Sequence, residues 1–296
     1  MRSLTSIYDH QNSIKVEWNI GKRCNLDCAY CPSEIHDNVS PHTNIKLLTD
    51  AVDALCELDK PIRVSLTGGE PCVHPNIEEL LDHLNQRVDW INITTNGTRD
   101  GRWYCEQPVN HYVFSLHFDN NLWRRSLQNI IMVGKWFGKP IQVNLMAHHE
   151  HMDLVKRAYE ELDEENIPVA VRRIRWTQGD HDTFDDLRYE GNDLEWILST
   201  NSTVRPNCVD DTGKTYHAND IIKNHLNRFN GWKCSAGIES LMINWDGEVH
   251  RATCRVGGSL GNIYNGSFEP PREWIVCTRN WCTCAADIPL SKETHD

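Results

Sequence analysis

What this 296-residue chain lacks narrows its class first. No apolar run approaches the roughly 18 residues that a membrane-crossing helix needs. The N-terminus, Met1-Arg-Ser-Leu-Thr-Ser-Ile-Tyr8, has no apolar core of the kind that marks a secretory signal. A cytoplasmic location without membrane attachment is the expectation. Basic residues are in deficit: 30 Lys and Arg face 42 Asp and Glu, a formal net charge of −12. That balance argues against a nucleic-acid partner held through its backbone. The basic runs are short, as at Arg124-Arg125 and Arg172-Arg173-Ile174-Arg175. The chain has no internal repeat and no low-complexity segment. Its apolar fraction of 39% still suits a globular protein.

Cysteine is abundant, with twelve residues. Disulfide staples suit small exported domains, and this chain is large and lacks an export signal. The distribution points to metal instead. Cys24, Cys28 and Cys31 fall within eight residues as C-x3-C-x2-C. Such a tight loop can aim three sulfurs at one centre and leave one position of a cubane cluster open. A zinc site completed by His36 is the alternative. Five more, Cys234, Cys254, Cys277, Cys282 and Cys284, crowd the C-terminal part. Cys56, Cys72, Cys105 and Cys208 are scattered.

From Ile14 to about Trp176, short β-branched runs alternate with helical patterns. Strands are predicted at Ile14–Ile20, Ile62–Leu66, Trp90–Thr95, Tyr112–Leu116, Ile141–Leu145 and Val169–Ile174. Helices are predicted near Ile45–Leu58, Ile77–Gln86, Leu122–Phe137 and Met152–Glu165. The connection Thr98–Asn110 reads as too short and polar for a helix. Alternating strands and helices imply an α/β fold with a parallel sheet. Six units suit a partial (β/α)6 barrel rather than a closed one of roughly 250 residues. Chemistry then belongs at the C-terminal strand ends, where the cysteine loop sits. Residues 178–230 read as a polar linker with helix near Ala218–Leu226. Asp246-Gly247 between alternating runs predicts a hairpin.

Together, C-x3-C-x2-C with aromatic Tyr30 before its last cysteine, and Gly68-Gly69-Glu70-Pro71 after the second strand, resemble the radical S-adenosylmethionine (SAM) superfamily. The resemblance implies a 4Fe–4S cluster on Cys24, Cys28 and Cys31, its fourth iron chelated by SAM. Gly68, Gly69, Glu70 and Pro71 would contact the SAM amino group. Asn96 in Thr-Thr-Asn-Gly, Ser115 and Asn144 resemble later strand-end residues near the cofactor; a plain Asn-Gly turn and satisfied barrel polar groups explain them as well. Among Arg172, Arg173 and Arg175, one or more would pair with a SAM or substrate carboxylate, Arg173 being the candidate carried forward, unless they are solvated salt bridges. His117 and His148-His149-Glu150-His151 read as pocket lining, because neighbours on a strand face opposite ways. Cys72 is either a hydrogen-atom donor or a structural thiol.

The C-terminal cysteines resemble the SPASM and shorter twitch modules of that superfamily, a small hairpin-plus-helix domain holding an auxiliary 4Fe–4S cluster. Cys234 and Cys254 would flank the hairpin, and two of Cys277, Cys282 and Cys284 would complete the set; zinc is the competing reading. The implied division is 1–177 radical SAM barrel, 178–230 linker and 231–296 auxiliary domain. The implied activity is reductive cleavage of SAM to a 5′-deoxyadenosyl radical that abstracts a substrate hydrogen, with a flavodoxin- or ferredoxin-type one-electron donor. The substrate would be a small molecule or peptide. Only 23 residues precede Cys24, which argues against a built-in leader-peptide domain. A non-catalytic iron–sulfur or zinc-binding protein is the rival reading.

Overall fold

A computed structural model describes residues 1–7, 12–174, 188–200 and 202–294. Arg175, Trp176 and the acidic patches at 179–182 and 185–186 lie outside the described residues. The strands are β1 (Ser3–Ser6), β2 (Ile14–Asn19), β3 (Ile62–Thr67), β4 (Trp90–Thr95), β5 (His111–Leu116), β6 (Ile141–Ala147), β7 (Val169–Arg173), β8 (Cys208–Asp210), β9 (Thr215–Tyr216), β10 (Lys233–Cys234), β11 (Ser240–Ile243), β12 (Glu248–His250), β13 (Ser259–Asn262), β14 (Ile275–Val276) and β15 (Lys292–Glu293). The α-helices are α1 (Ile45–Cys56), α2 (Ile77–Arg87), α3 (Gly101–Glu106), α4 (Trp123–Ile131), α5 (Met152–Glu164), α6 (Gly191–Ser199) and α7 (Ala218–Lys223).

The predicted alternation produces the main sheet. β2 to β7 pair in sequence order, each parallel to the next. One face is apolar: Val16, Trp18, Val64, Leu66, Ile93, Phe114 and Leu145 are buried against Leu48, Val52, Leu80, Leu84 and Val155 of the crossover helices. Burying several large side chains at about 1.5–3 kcal/mol each makes this layer the main source of stability. The opposite face is polar, with Glu17, Ser65 and Asn92 in one cross-strand row and Ser115 and Asn144 in another. A strand that alternates polar and apolar residues can serve both faces.

Three expectations need correction. The Thr98–Asn110 connection contains α3, started by the Asp100 side chain accepting from Arg102 N and anchored by buried Trp103 and Tyr104. The stretch read as polar linker carries α6, β8 and β9 besides the helix expected near Ala218–Leu226, which forms as α7. The predicted hairpin forms as β11 and β12, but β11 also lies parallel to β2 and extends the main sheet to nine strands.

A second, antiparallel sheet runs β14-β10-β15-β1-β8-β9. It joins the N-terminal strand to the last one through Leu4 opposite Lys292. Leu4, Cys208, Ile221, Phe229, Cys282 and Ile288 form its own apolar cluster. No described helix is long and apolar enough to cross a membrane.

Candidate active site and metal centres

The chain leaves β2 through Gly21-Lys22-Arg23 and enters the cysteine loop. The turn after β3 clamps this passage: Gly69 N donates to Gly21 O and Glu70 N to Arg23 O, each at 2.9 Å. Both glycines are needed for the approach. A Cβ on Gly68, whose φ is +134°, would lie 2.4 Å from Gly21 O; one on Gly69 would lie 2.2 Å from Lys22 O. No L side chain fits there without backbone movement. Pro71 then opens a short 3-10 turn.

Glu70 is placed differently from what the resemblance implied. Its buried carboxylate accepts from Cys72 N (3.0 Å) and Thr95 Oγ1 (2.7 Å) through Oε1, and from Asn96 N (2.6 Å) through Oε2. It ties the ends of β3 and β4 together through these three accepted bonds. The Gly68 and Gly69 carbonyls take no hydrogen bond from the described residues. They are the atoms of this turn left to meet a ligand amino group.

Asn96 turns towards the cysteines. Its Nδ2 donates to Asn25 Oδ1 (2.8 Å) and lies 3.9 Å from Cys24 Sγ, while Asn25 Nδ2 donates to Thr98 Oγ1. On the far side, Tyr30 OH bonds His117 Nδ1 and the two rings stack. Asp119, two residues beyond His117, accepts from Ala29 N at 3.2 Å. Sequence reasoning missed Asp119; the signal was its place just past the end of β5.

All twelve cysteines are free thiols. Burial raises the three loop thiols, Cys24 to about 11 and Cys31 to about 12, and pushes Cys28 higher still, with Asp119 adding to Cys28 and Cys31. Buried thiols beside a carboxylate cannot ionise alone, but cationic iron would supply the missing charge. The donor set fits a cluster held by three thiolates. Among the described residues, no three His, Cys, Asp or Glu side chains close tightly around a single metal ion.

The strand registers sort the other candidates. Ser115 pairs with Asn144, and Asn144 with Ala170, so these share the polar face. Arg172 lies two residues beyond Ala170 and shares that face. Arg173 takes the opposite one, beside Ala147, and donates to Lys223 O. The arginine on the polar face is therefore Arg172, not Arg173. Cys72 is buried in the main core, with its carbonyl accepting from Arg99. His148 and His149 stack, and His148 Nδ1 accepts from Glu150 N, as suits a turn.

The C-terminal cysteines separate into four and one. The thiols of Cys234, Cys254, Cys277 and Cys282 act on one another electrostatically, although they do not close around a single metal ion. Cys254 is raised to about 12 by burial, then by Asp287, with Cys234 and Cys277 adding. Cys282 is raised by burial, with Asp287, Cys254 and Cys234 adding. Cys284 has other neighbours: burial, Asp287 and Glu17 raise it to about 11. Hydrogen bonds from the backbone hold three of the four positions. Cys277 N donates to Trp232 O, Cys282 N to Asn227 O, and Cys254 N to Asp287 Oδ2.

Comparison with known proteins agrees with this geometry. A solved structure titled as native anSMEcpe with bound AdoMet superposes with a TM-score of 0.61 at 14% identity, covering 86% of this chain and 79% of that one. Streptococcus suis SuiB gives 0.56 at 16% identity, covering 86% and 64%. These likenesses establish the fold. GTP 3',8-cyclase of Desulforamulus reducens is 28% identical over 183 residues, 53% of each protein. The Bacillus subtilis protein AlbA, of subtilosin biosynthesis, is 34% identical over 76 residues, 26% of this chain and 17% of that one. The chain thus spans about half or less of the curated relatives it matches. A sequence model of the Radical SAM superfamily matches residues 18–169, which hold the cysteine loop, the Gly-Gly-Glu-Pro clamp and the strand ends that brace them. With just over half of its length in that match, the chain belongs to the radical SAM superfamily.

Proposed function

We propose that the chain is a radical SAM enzyme acting on a peptide or a small metabolite, with a second iron–sulfur cluster. The observation that carries this reading is the clamp of Gly69 and Glu70 on Gly21 and Arg23, which ties the entry of the three-cysteine loop to a turn whose Gly68 and Gly69 carbonyls take no hydrogen bond from the described residues. When bound, the cluster and SAM supply an electron transfer that breaks the SAM C–S bond and a 5′-deoxyadenosyl radical that takes a substrate hydrogen.

The chain's own residues bind and orient. Cys24, Cys28 and Cys31 hold the cluster; Asn96 and Asn25 brace Cys24; the Gly68 and Gly69 carbonyls receive the SAM amino group. Ser115 and Asn144 offer polar groups on the facing side of β2–β7, read here as the wall of a partial barrel. Cys234, Cys254, Cys277 and Cys282 are the ligand set of the auxiliary cluster, and Cys284 stands outside it. The division at 177 and 230 follows that assignment, with 231–296 as the twitch-like part. A flavodoxin- or ferredoxin-type donor supplies the electron.

Anaerobic reconstitution followed by dithionite reduction with SAM tests this. Release of 5′-deoxyadenosine and iron near eight per chain, about four per cubane, are expected. Intact clusters without 5′-deoxyadenosine, candidate substrates present, would leave a non-catalytic iron–sulfur protein. Iron near four with one zinc would remove the second cluster.

A further inference from the structure

We propose that a small cavity at the C-terminal end of β7 receives an oxyanion group of the substrate, a carboxylate or a phosphate, on Arg172 and Asn219. This rests on the radical SAM reading above and names the chemistry of its substrate. The cavity measures about 40 Å³ and lies where β7 meets α7 and the segment through Thr283.

Two features of its lining are unaccounted for by the protein. Asn219 is 6% exposed, and neither its Oδ1 nor its Nδ2 has a hydrogen-bond partner. Buried amides are almost always satisfied, because an orphaned one gives up its water without return. Arg172 makes no hydrogen bond or ion pair with any described residue. Of the other two cations on this wall, Lys223 donates to Thr200 O at 2.6 Å and faces Asp220 at 3.7 Å, and Arg173 donates to Lys223 O. Although the chain has a net charge of −12, no carboxylate among the described residues is paired with Arg172.

The size and chemistry select a head group. Water could meet the amide, but it supplies no charge opposite the half-buried Arg172 guanidinium. An oxyanion that carries a neighbouring N–H or O–H satisfies the guanidinium and both amide atoms. It takes the fork of Arg172 and the N–H of Asn219. An N–H or O–H beside the oxyanion then donates to Asn219 Oδ1. The remainder of the substrate has a direction to run. Arg172 shares its face with Ala170, Asn144 and Ser115, about 7 Å further along the strand than that row. In open parallel sheets, ligands sit at these C-terminal strand ends.

The test uses the full chain, reconstituted anaerobically, and calorimetric titration with two probes. Glycylglycine carries a carboxylate beside a peptide N–H; inorganic phosphate carries its own O–H. One probe is expected to bind at one site per chain, and which one identifies the anion. Arg172→Gln should weaken binding at least tenfold. Asn219→Asp, equal in size but of the wrong charge, should abolish it, and it decides the matter if Arg172→Gln fails to fold. Binding of neither probe, or binding unchanged in both variants, overturns the proposal and leaves water as the occupant. 5′-Deoxyadenosine release by the same preparation separates the two readings. Release without anion binding sinks the cavity alone. Anion binding lost in the variants, but without release, upholds the oxyanion site and sinks the radical chemistry.

Discussion

The two cysteine groups of this protein solve one problem in opposite ways. Cys24, Cys28 and Cys31 come from a single loop, and its entry is locked from outside by the turn at Gly68–Pro71. Cys234, Cys254, Cys277 and Cys282 come from four separate points, fixed by a sheet that also needs β1 from the other end of the chain. A local loop needs only one good clamp. A dispersed set needs the whole C-terminal packing, including the apolar cluster around Phe229 and Cys282. The first group should therefore fail by single local changes, and the second should follow the stability of its sheet.

The largest effect expected is from Cys24→Ala, Cys28→Ala and Cys31→Ala together. SAM cleavage should vanish, and iron should fall by about four per chain with the C-terminal cluster retained. Loss of all iron would show that the two centres are not independent. Gly69→Ala attacks the clamp instead of the ligands. Its Cβ would meet backbone carbonyls at 2.2 and 2.4 Å. A cost of about 1–3 kcal/mol, visible in thermal melts, and at least a tenfold fall in 5′-deoxyadenosine are expected. Unchanged activity would mean that the loop does not depend on this contact.

The second group is sharpened by a pair of single changes. Cys282→Ser should lose the auxiliary cluster, while Cys284→Ser should keep its iron and its absorption. The reverse result would move Cys284 into the ligand set. The smallest effect concerns the floor beneath both sites. Burial, with Lys15 adding, holds His111 down at about 4, so the fold prefers the neutral ring. The unfolded chain takes up that proton near pH 6.5. Stability from this group is complete above pH 6.5 and is lost as pH falls through about 4, a loss of about 1–3 kcal/mol. Melting temperatures of His111→Gln should depend less on pH over that window than those of the parent chain; an identical slope would remove His111 as a cause.

The parallel strands and crossover helices were legible because each carries its own periodicity. Strands from Ile14, Ile62, Trp90, Ile141 and Val169 start where their patterns start. The short pieces were not legible. β1, β8 and β9 have two to four residues each and exist only because they pair with each other. The loop cysteines and the glycine clamp were legible because their spacing is local. Arg172 was confused with Arg173 because face assignment depends on register, and a shift of one residue exchanges the faces. Asn219 and the separation of Cys284 from the other four cysteines depend on contacts between distant segments, which leave no pattern along the chain.

By itself the sequence determined the parallel α/β layer and the three-cysteine loop that follows its first long strand. Alternating apolar residues and three closely spaced thiols are local properties, set before any tertiary contact forms. The tertiary structure alone decided that Glu70 braces two strand ends, that the hairpin of β11 and β12 joins the main sheet, and how the C-terminal cysteines lie relative to one another. Each of these outcomes turns on a burial cost or a hydrogen bond between residues far apart in the chain, and such terms exist only once the chain has folded.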